Sequence, residues 1–251
     1  MRVRALLCAV VLTVLTAPAA HAVANGSDVP PGRFGFVAKL AMTNIPRPDG
    51  STYASYCTGS LIAPGWILTT GHCFHDAQRN RVSGRVPYPT TVTLGLTDEA
   101  TESGVARKVT SVVQAAESDI ALARLDTPVT TITPLTVNRV APSAGQELTL
   151  AGWGALGKTN PAPSKKLQQG TVQVATVAAT TLGVRGVSPA ATTSACTYDS
   201  GAPYFIPSGS GGQLVSVEAT GPGCPHSGVE TTSRTDVIAT WLAAQITSTG
   251  L

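Results

Sequence analysis

The feature that most restricts the fold of this chain is its succession of short apolar or alternating runs, each followed by turn-forming residues. Val, Ile and Thr are frequent in the runs, and Gly, Pro, Asp and Ser are frequent between them, as is typical of strands joined by tight turns. Charged residues make up 12% and hydrophobic residues 43% of the chain, a composition that does not suit disorder. The pattern predicts an all-β protein.

Ten strands and one helix are predicted from these runs. The predicted strands are 36–41, 60–62, 66–69, 90–96, 106–114, 120–125, 148–152, 172–177, 181–184 and 213–217. A helix is predicted at 236–246, because its apolar residues fall on one helical face. Many short strands with one terminal helix favour a barrel or a sandwich.

The first 22 residues differ from the rest of the chain. Arg2 and Arg4 precede an apolar run at 5–16, and Ala20-His21-Ala22 closes the segment with small residues in the A-x-A manner. This arrangement predicts a secretory signal peptide, and the apolar run is too short for a membrane anchor. Without it the formal charge falls from +3 to +1. We therefore expect a secreted mature chain over 23–251 that binds neither nucleic acid nor membrane.

Four cysteines remain after the predicted cleavage, namely Cys57, Cys73, Cys196 and Cys224. An even number in an exported chain favours two disulfide bonds, and four cysteines allow three pairings. The sequence-local pairing would join 57 to 73 and 196 to 224, and each loop would contribute about 3 kcal/mol. No C-x-x-C is present among these four, so we expect no metal site and no cofactor.

Few residues can carry acid–base or nucleophilic chemistry. His72 follows an apolar strand in T-T-G-H-C, whereas His75 and His226 lie in polar segments and are interpreted as solvated. Asp119 precedes an apolar strand, where a carboxylate needs hydrogen bonds, so it is either a strand-end cap or the partner of a histidine. Ser200 lies in D-S-G, which also forms ordinary turns, and its hydroxyl would need a base.

Several segments occur in one informative order. They are C-T-G-S-L-I-A-P-G-W-I-L-T-T-G-H-C at 57–73, S-D-I-A-L at 118–122, G-W-G at 152–154, C-T-Y-D-S-G-A-P at 196–203, V-S at 215–216, G-C at 223–224 and G-V at 228–229. Together they resemble the trypsin-like (chymotrypsin-fold) serine proteases of peptidase family S1, in the histidine, aspartate and serine motifs and in the segments that line the specificity pocket.

The resemblance implies a fold and a reaction. The fold would be two six-stranded antiparallel β-barrels with a C-terminal α-helix, and the site would lie between the barrels. His72 would be the general base, Asp119 its orienting partner and Ser200 the nucleophile. The protein would be a secreted, monomeric serine endopeptidase that cleaves polypeptides through an acyl-enzyme. The disulfides implied are 57–73 and 196–224.

The resemblance also implies an activation contact. The segment V-A-N-G at 23–26 resembles the family's I-V-G-G start, whose new ammonium pairs with the aspartate before the nucleophilic serine. Here the pair would be Val23 and Asp199, because a buried carboxylate needs such a partner. Cleavage after Ala22 would itself create the amine.

The specificity pocket is less well defined by the sequence. The residues that the resemblance places there are Ser194 at the base and Ser216, Glu218, Gly228 and Glu230 around it. Ser216 would also contact Asp119. A neutral base at Ser194 would suit an apolar substrate residue, Glu218 or Glu230 could instead favour a basic one, and solvation of both glutamates is the third interpretation.

One departure from the family bears on activity. Tyr198 stands where the family has a glycine whose backbone N–H, with that of Ser200, binds the oxyanion. A bulky residue with positive φ is uncommon. If the peptide is turned over, loss of one donor would slow catalysis by about 10²–10³. The alternative function is therefore a weak or inactive protease-like binding protein. Ala202 replaces a second glycine with little expected effect.

Overall fold

The structure, a computed structural model, describes residues 23–248 and consists mainly of antiparallel strands. The predicted signal peptide at 1–22 lies outside the described residues. In chain order the elements are β1 (Ser27–Asp28), β2 (Val37–Pro46), β3 (Thr52–Ala63), β4 (Trp66–Thr69), β5 (Gly84–Arg85), β6 (Thr90–Leu94), β7 (Val105–Gln114), β8 (Ala121–Leu125), β9 (Thr136–Val137), β10 (Glu147–Gly152), β11 (Gln168–Val177), β12 (Thr181–Ser188), β13 (Pro203–Ser208), β14 (Gly211–Thr220), β15 (Glu230–Arg234) and α1 (Ala239–Ser248). Single 3₁₀ turns occupy Gly71–Cys73 and Asp236–Ile238.

Two closed barrels form from these strands. The first has the order β7-β6-β2-β3-β4-β8 and closes through β7 and β8. The second has the order β11-β10-β13-β14-β15-β12 and closes through β11 and β12. Closure pairs the edge strands that an open sheet would leave exposed. The prediction of two six-stranded antiparallel barrels with a C-terminal helix is confirmed.

Each barrel is filled by the inward-facing residues of its strands. Leu40, Leu61 and Ile67 are fully buried in the first barrel, and Leu150 and Val184 in the second. Three phenylalanines join the barrels. Phe205 of β13 meets Phe34 and Phe36 edge-on, with ring centroids 4.9 and 5.2 Å apart, which is a favoured geometry for aromatic contacts.

Among the strands longer than two residues, the sequence pattern missed β13 and β15. β13 begins with Pro203, and β15 reads E-T-T-S-R, so neither resembles a buried strand. Both are nevertheless central strands of the second barrel, where Thr232 and Ser233 are buried. The predicted helix is observed as the turn Asp236–Ile238 and α1, whose Leu242 is buried. None of the helices in the described part of the chain is long and apolar enough to cross a bilayer.

Both disulfide bonds lie beside candidate catalytic residues. Cys57 of β3 is joined to Cys73, next to His72, and Cys196 of the Ser200 loop is joined to Cys224 after β14. Of the three possible pairings of the four cysteines, the structure therefore has the one that joins cysteines near in sequence.

Candidate active site

His72 and Asp119 are brought together by the pairing of β4 with β8. Thr69 at the end of β4 lies opposite Ala121 near the start of β8, so the residues beyond both strand ends meet. Asp119 Oδ1 accepts the backbone N–H of His72 at 2.9 Å, and Oδ2 lies 2.7 Å from Nδ1 of the ring. A carboxylate at Nδ1 favours the tautomer that carries its proton there, which leaves Nε2 as an acceptor.

Arg81 is a neighbour of Asp119 that the sequence reasoning missed. Its Nη1 donates to the carbonyl of Ser118 at 2.6 Å and lies 3.7 Å from Asp119 Oδ1. Gly71 permits this approach, because a Cβ there would lie 2.8 Å from Arg81 Cδ. Burial acts to raise the pKa of Asp119, but the hydrogen bonds and charge of His72, with the charge of Arg81, leave that pKa below its usual value. Asp119 is therefore ionised at neutral pH.

The Ser200 loop is held by Thr58 of the first barrel. The backbone N–H of Thr58 donates to the Ser200 carbonyl at 2.9 Å, and its hydroxyl donates to the Tyr198 carbonyl at 3.1 Å. The same hydroxyl accepts the backbone N–H of Trp153 at 3.2 Å. One threonine thus fixes the serine loop relative to the barrel that carries His72.

Tyr198 adopts a backbone conformation that favours glycine, with φ of +78°. Its side chain compensates by packing edge-on against Tyr56, with 5.6 Å between centroids, and by donating to the Pro161 carbonyl at 3.3 Å. Tyrosine can therefore occupy this position because its ring gains contacts that a glycine would lack.

The peptide between Thr197 and Tyr198 has one anchored orientation. The Thr197 carbonyl accepts the backbone N–H of the buried Ala155 at 2.7 Å. In a planar trans peptide the C=O and N–H point in opposite directions, so the Tyr198 N–H points away from Ala155. Within residues 23–248, the N–H groups of Tyr198 and Ser200 donate to no protein acceptor. Both remain available to a ligand.

Asp199, which lies between Tyr198 and Ser200 in the sequence, is fully buried. Its Oδ1 accepts the N–H of Gly154 at 2.8 Å and its Oδ2 accepts that of Cys196 at 3.0 Å. A Cβ at Gly152 or Gly154 would overlap this carboxyl group, which explains both glycines of the G-W-G segment. Burial raises the pKa of Asp199 to about 7, although the two N–H donors oppose the rise.

The first described residues lie in the same barrel as Asp199. Val23 is fully buried and belongs to an apolar cluster that includes Ala195 and Ala202, on either side of the serine loop. The next residue forms a bridge with Ser194, whose N–H donates to the Ala24 carbonyl at 3.1 Å. The first described residues therefore pack against the chain segment that leads into Asp199.

The five predicted pocket residues are not all brought together. Ser216 is buried inside β14, where Thr232 Oγ1 donates to its hydroxyl at 2.8 Å, and it makes no hydrogen bond to Asp119 in the described chain. Ser194 is also buried and its hydroxyl accepts the N–H of His226 at 3.3 Å, while Gly228 is exposed. The expected contact of Ser216 with Asp119 is therefore not present as a hydrogen bond.

The interpretation of both glutamates as solvated is wrong. Glu218 is 5% exposed and Glu230 1% exposed, and the Tyr204 hydroxyl lies 2.7 Å from a carboxyl oxygen of each. Glu230 Oε1 also accepts the N–H of Ala195 at 2.6 Å and lies 3.3 Å from Nε2 of His226. Tyr204 was not identified in the sequence, because an aromatic residue after D-S-G-A-P resembles ordinary core.

The solvated interpretation is also wrong for the two other histidines. His75 is 4% exposed, and its ring nitrogens lie 2.6 Å from the Asp76 carbonyl and 2.9 Å from Arg79 Nη1. The His226 side chain is 10% exposed and faces Glu230. The burial of these two histidines could not be predicted from sequence, because their neighbours in the chain are polar. Those neighbours either supply hydrogen bonds or face solvent.

Two neighbouring cavities share His72. The first, of about 400 Å³, contains Ser200 as well. Its other lining residues are Lys158, Ala195, Cys196, Thr197, Glu218, Ala219, Thr220, Gly221, Pro222, Gly223 and Cys224. The second, of about 520 Å³, is lined by Asp119 and by Ala219, among others. Of the predicted pocket residues, only Glu218 lines the cavity that contains Ser200.

Two closed barrels with a histidine–aspartate pair on one and a serine loop on the other define the two-barrel class of serine proteases. The family profile described as Trypsin matches residues 23–242. The chain therefore belongs to the trypsin family.

Curated relatives agree with this assignment at low identity. The chain is 27% identical over 236 residues to human "Transmembrane protease serine 5", covering 84% of this chain and 49% of the relative. It is 28% identical over 232 residues to mouse "Transmembrane protease serine 7", covering 81% of this chain and 26% of the relative. Mouse "Serine protease 56" matches at 28% over 148 residues, covering 55% of this chain and 22% of the relative. The chain thus spans half or less of these relatives.

Proposed function

We propose that the mature protein is a secreted serine endopeptidase that acts through His72, Asp119 and Ser200. The observation that carries this proposal is the pair of hydrogen bonds from His72 to Asp119, with His72 and Ser200 lining one cavity. Membership of the trypsin family supports peptides as the substrate class.

In the proposed reaction each of these groups has one role. Nε2 of His72 takes the Ser200 hydroxyl proton as Oγ attacks the peptide carbonyl, and Asp119 stabilises the imidazolium. The N–H groups of Tyr198 and Ser200 donate to the oxyanion. The imidazolium then protonates the leaving amine, so an acyl-enzyme remains. Water, deprotonated by His72, attacks the ester and releases the acid and Ser200.

Secretion and activation form part of the same proposal. Removal of residues 1–22 would leave an ammonium group at Val23, in the barrel that holds Asp199. Pairing with a cation would keep the buried Asp199 carboxylate ionised. The signal sequence would then act as the activation segment, and no second cleavage would be needed.

Labelling by a fluorophosphonate tests the proposed nucleophile. The secreted protein should react at one serine, and Ser200→Ala should abolish the labelling, because Ser200 is the one serine among the described residues that line its cavity with His72. Ser210→Ala, at an exposed turn residue, is the matched control and should label normally. Absence of labelling in folded protein that begins at Val23 would reject the enzyme.

Tyr198→Gly separates the enzyme from the protease-like binding protein. Since the Tyr198 N–H is already directed away from Ala155 and unoccupied, we expect glycine to change kcat by less than about fivefold. If the natural tyrosine instead turned the peptide over, glycine would restore a donor and raise kcat by about 10²–10³. Steady-state hydrolysis of one peptide substrate by both proteins decides between these results.

A further inference from the structure

The hydroxyl of Tyr204 lies between two buried carboxyl groups. Oε2 of Glu218 and Oε2 of Glu230 are each 2.7 Å from it. A phenol hydroxyl has one hydrogen to donate, so it can satisfy only one carboxylate. The other carboxyl oxygen must carry a proton and donate to the phenol oxygen. The three side chains therefore share two protons, one on the phenol and one on a carboxyl group.

The surrounding groups place that proton on Glu218. Glu230 accepts the N–H of Ala195 and faces the His226 ring, and both contacts favour its ionised form. The carboxyl group of Glu218 has no hydrogen-bond partner other than Tyr204 within the described chain. Burial, with the nearby charges of Glu230 and Asp199, raises the pKa of Glu218 well above its usual value. Glu218 is therefore neutral in the empty site.

Glu218 also faces the cavity that contains Ser200. Among the described residues that line this cavity, Glu218 is the one with an acidic side chain. The residue is 5% exposed. Its second oxygen, Oε1, accepts no hydrogen bond from the described residues. This oxygen is not fully enclosed by the protein. This atom is thus an accessible, unused acceptor on a residue that lines the cavity.

We propose that Glu218 binds the cationic side chain of an arginine or lysine that precedes the cleaved bond, and that Tyr204 and Glu230 hold it in place. This inference rests on the proposed endopeptidase function. A guanidinium or ammonium group against Oε1 stabilises the carboxylate, so the bound substrate displaces the proton of Glu218 into solvent. The protein then gains a buried ion pair only when the cation is present.

Proton release makes recognition of the cation dependent on pH. Below the pKa of Glu218 in the empty site, affinity for the cationic residue rises up to tenfold per pH unit, because one proton leaves for each cation bound. Other charges near the cluster are Asp199, His226 and the exposed Lys158, which lines the same cavity. An uncharged substrate of the same shape is the reference for effects on catalysis that both substrates share.

A matched pair of substrates isolates this effect. One fluorogenic peptide carries arginine before the cleaved bond and the other carries citrulline, which has the same length and no charge. We expect the ratio of their kcat/KM values to exceed about 100 at high pH and to fall as pH is lowered. A ratio near one, a ratio independent of pH, or a preference for an apolar residue would overturn the proposal.

Glu218→Gln removes the charge with little change of volume. The kcat/KM for the arginine peptide should fall at least about 50-fold and lose its additional pH dependence, while that for the citrulline peptide should stay within about threefold. Glu147→Gln, at an exposed position on β10, should change neither. If Glu218→Gln labels with fluorophosphonate yet retains the arginine preference, this inference is wrong and the protease remains. Absence of labelling in the natural protein would reject the protease itself.

Discussion

Asp119→Asn should lower kcat by about 10⁴-fold while KM changes little, as for the same replacement in this type of triad. Asp119 Oδ1 accepts the backbone N–H of His72, and Oδ2 accepts from the ring. Asparagine has one oxygen, and if it keeps the backbone bond its NH₂ group must face Nδ1. The ring then carries its proton on Nε2 and cannot accept one from Ser200.

Steady-state kinetics and fluorophosphonate labelling check this expectation together. Labelling of the variant should be slow but specific to Ser200, because the nucleophile and both oxyanion donors remain. Glu117→Gln is the matched control, since Glu117 is exposed and lies two residues before Asp119. A loss of kcat smaller than tenfold, with normal folding, would show that Asp119 does not orient the base.

A chain that starts two residues before Val23 should have kcat at least about 10²-fold below that of the correctly processed protein. Without an ammonium group at Val23, Asp199 keeps its raised pKa of about 7 and has no cation to hold it ionised. Its loop carries both oxyanion donors, and loss of one donor alone would slow catalysis by about 10²–10³. Equal activity of the two chains would contradict the activation contact.

The unprocessed chain should also lose stability as the pH rises. The folded pKa of Asp199 lies above its unfolded value of 3.8, so its contribution is complete at low pH and is lost as the pH passes through about 7. The free energy of unfolding should fall by up to about 4 kcal/mol between pH 4 and 8 from this group. Asp199→Asn in the same chain should lack that part of the decrease, as measured by urea unfolding at each pH.

The general fold could be predicted because strand and turn preferences are local. Runs such as 66–69 and 148–152 alternate or stay apolar over a strand length and end at Pro, Gly or polar residues. β15 could not be predicted in this way, since its threonines and serine are buried through cross-strand hydrogen bonds. Those bonds exist only once both neighbouring strands are in place.

The residues of the specificity pocket could not be predicted reliably, because they depend on strand register, which the sequence does not show directly. A bulge in β14 between Glu218 and Thr220 interrupts its pairing with β15. The alternation of faces is interrupted there, and Glu218, Ala219 and Thr220 all line the cavity, whereas Ser216, in the regular part of the strand, is enclosed in the barrel. The resemblance had selected Ser216 from its neighbours in sequence. Likewise, Arg81 lies 38 residues from Asp119 in the chain, and only the folded loop brings them together.

Thr58 determines how far the two halves of this protein can be exchanged with those of other proteases. Its hydroxyl and N–H connect the first barrel to the carbonyls of Tyr198 and Ser200 and to the N–H of Trp153. A hybrid that took its first barrel from another protein without a hydroxyl at this position would retain two intact cores. It would nevertheless lose registration between its base and its nucleophile, so engineering by barrel exchange must treat this threonine as part of the second half.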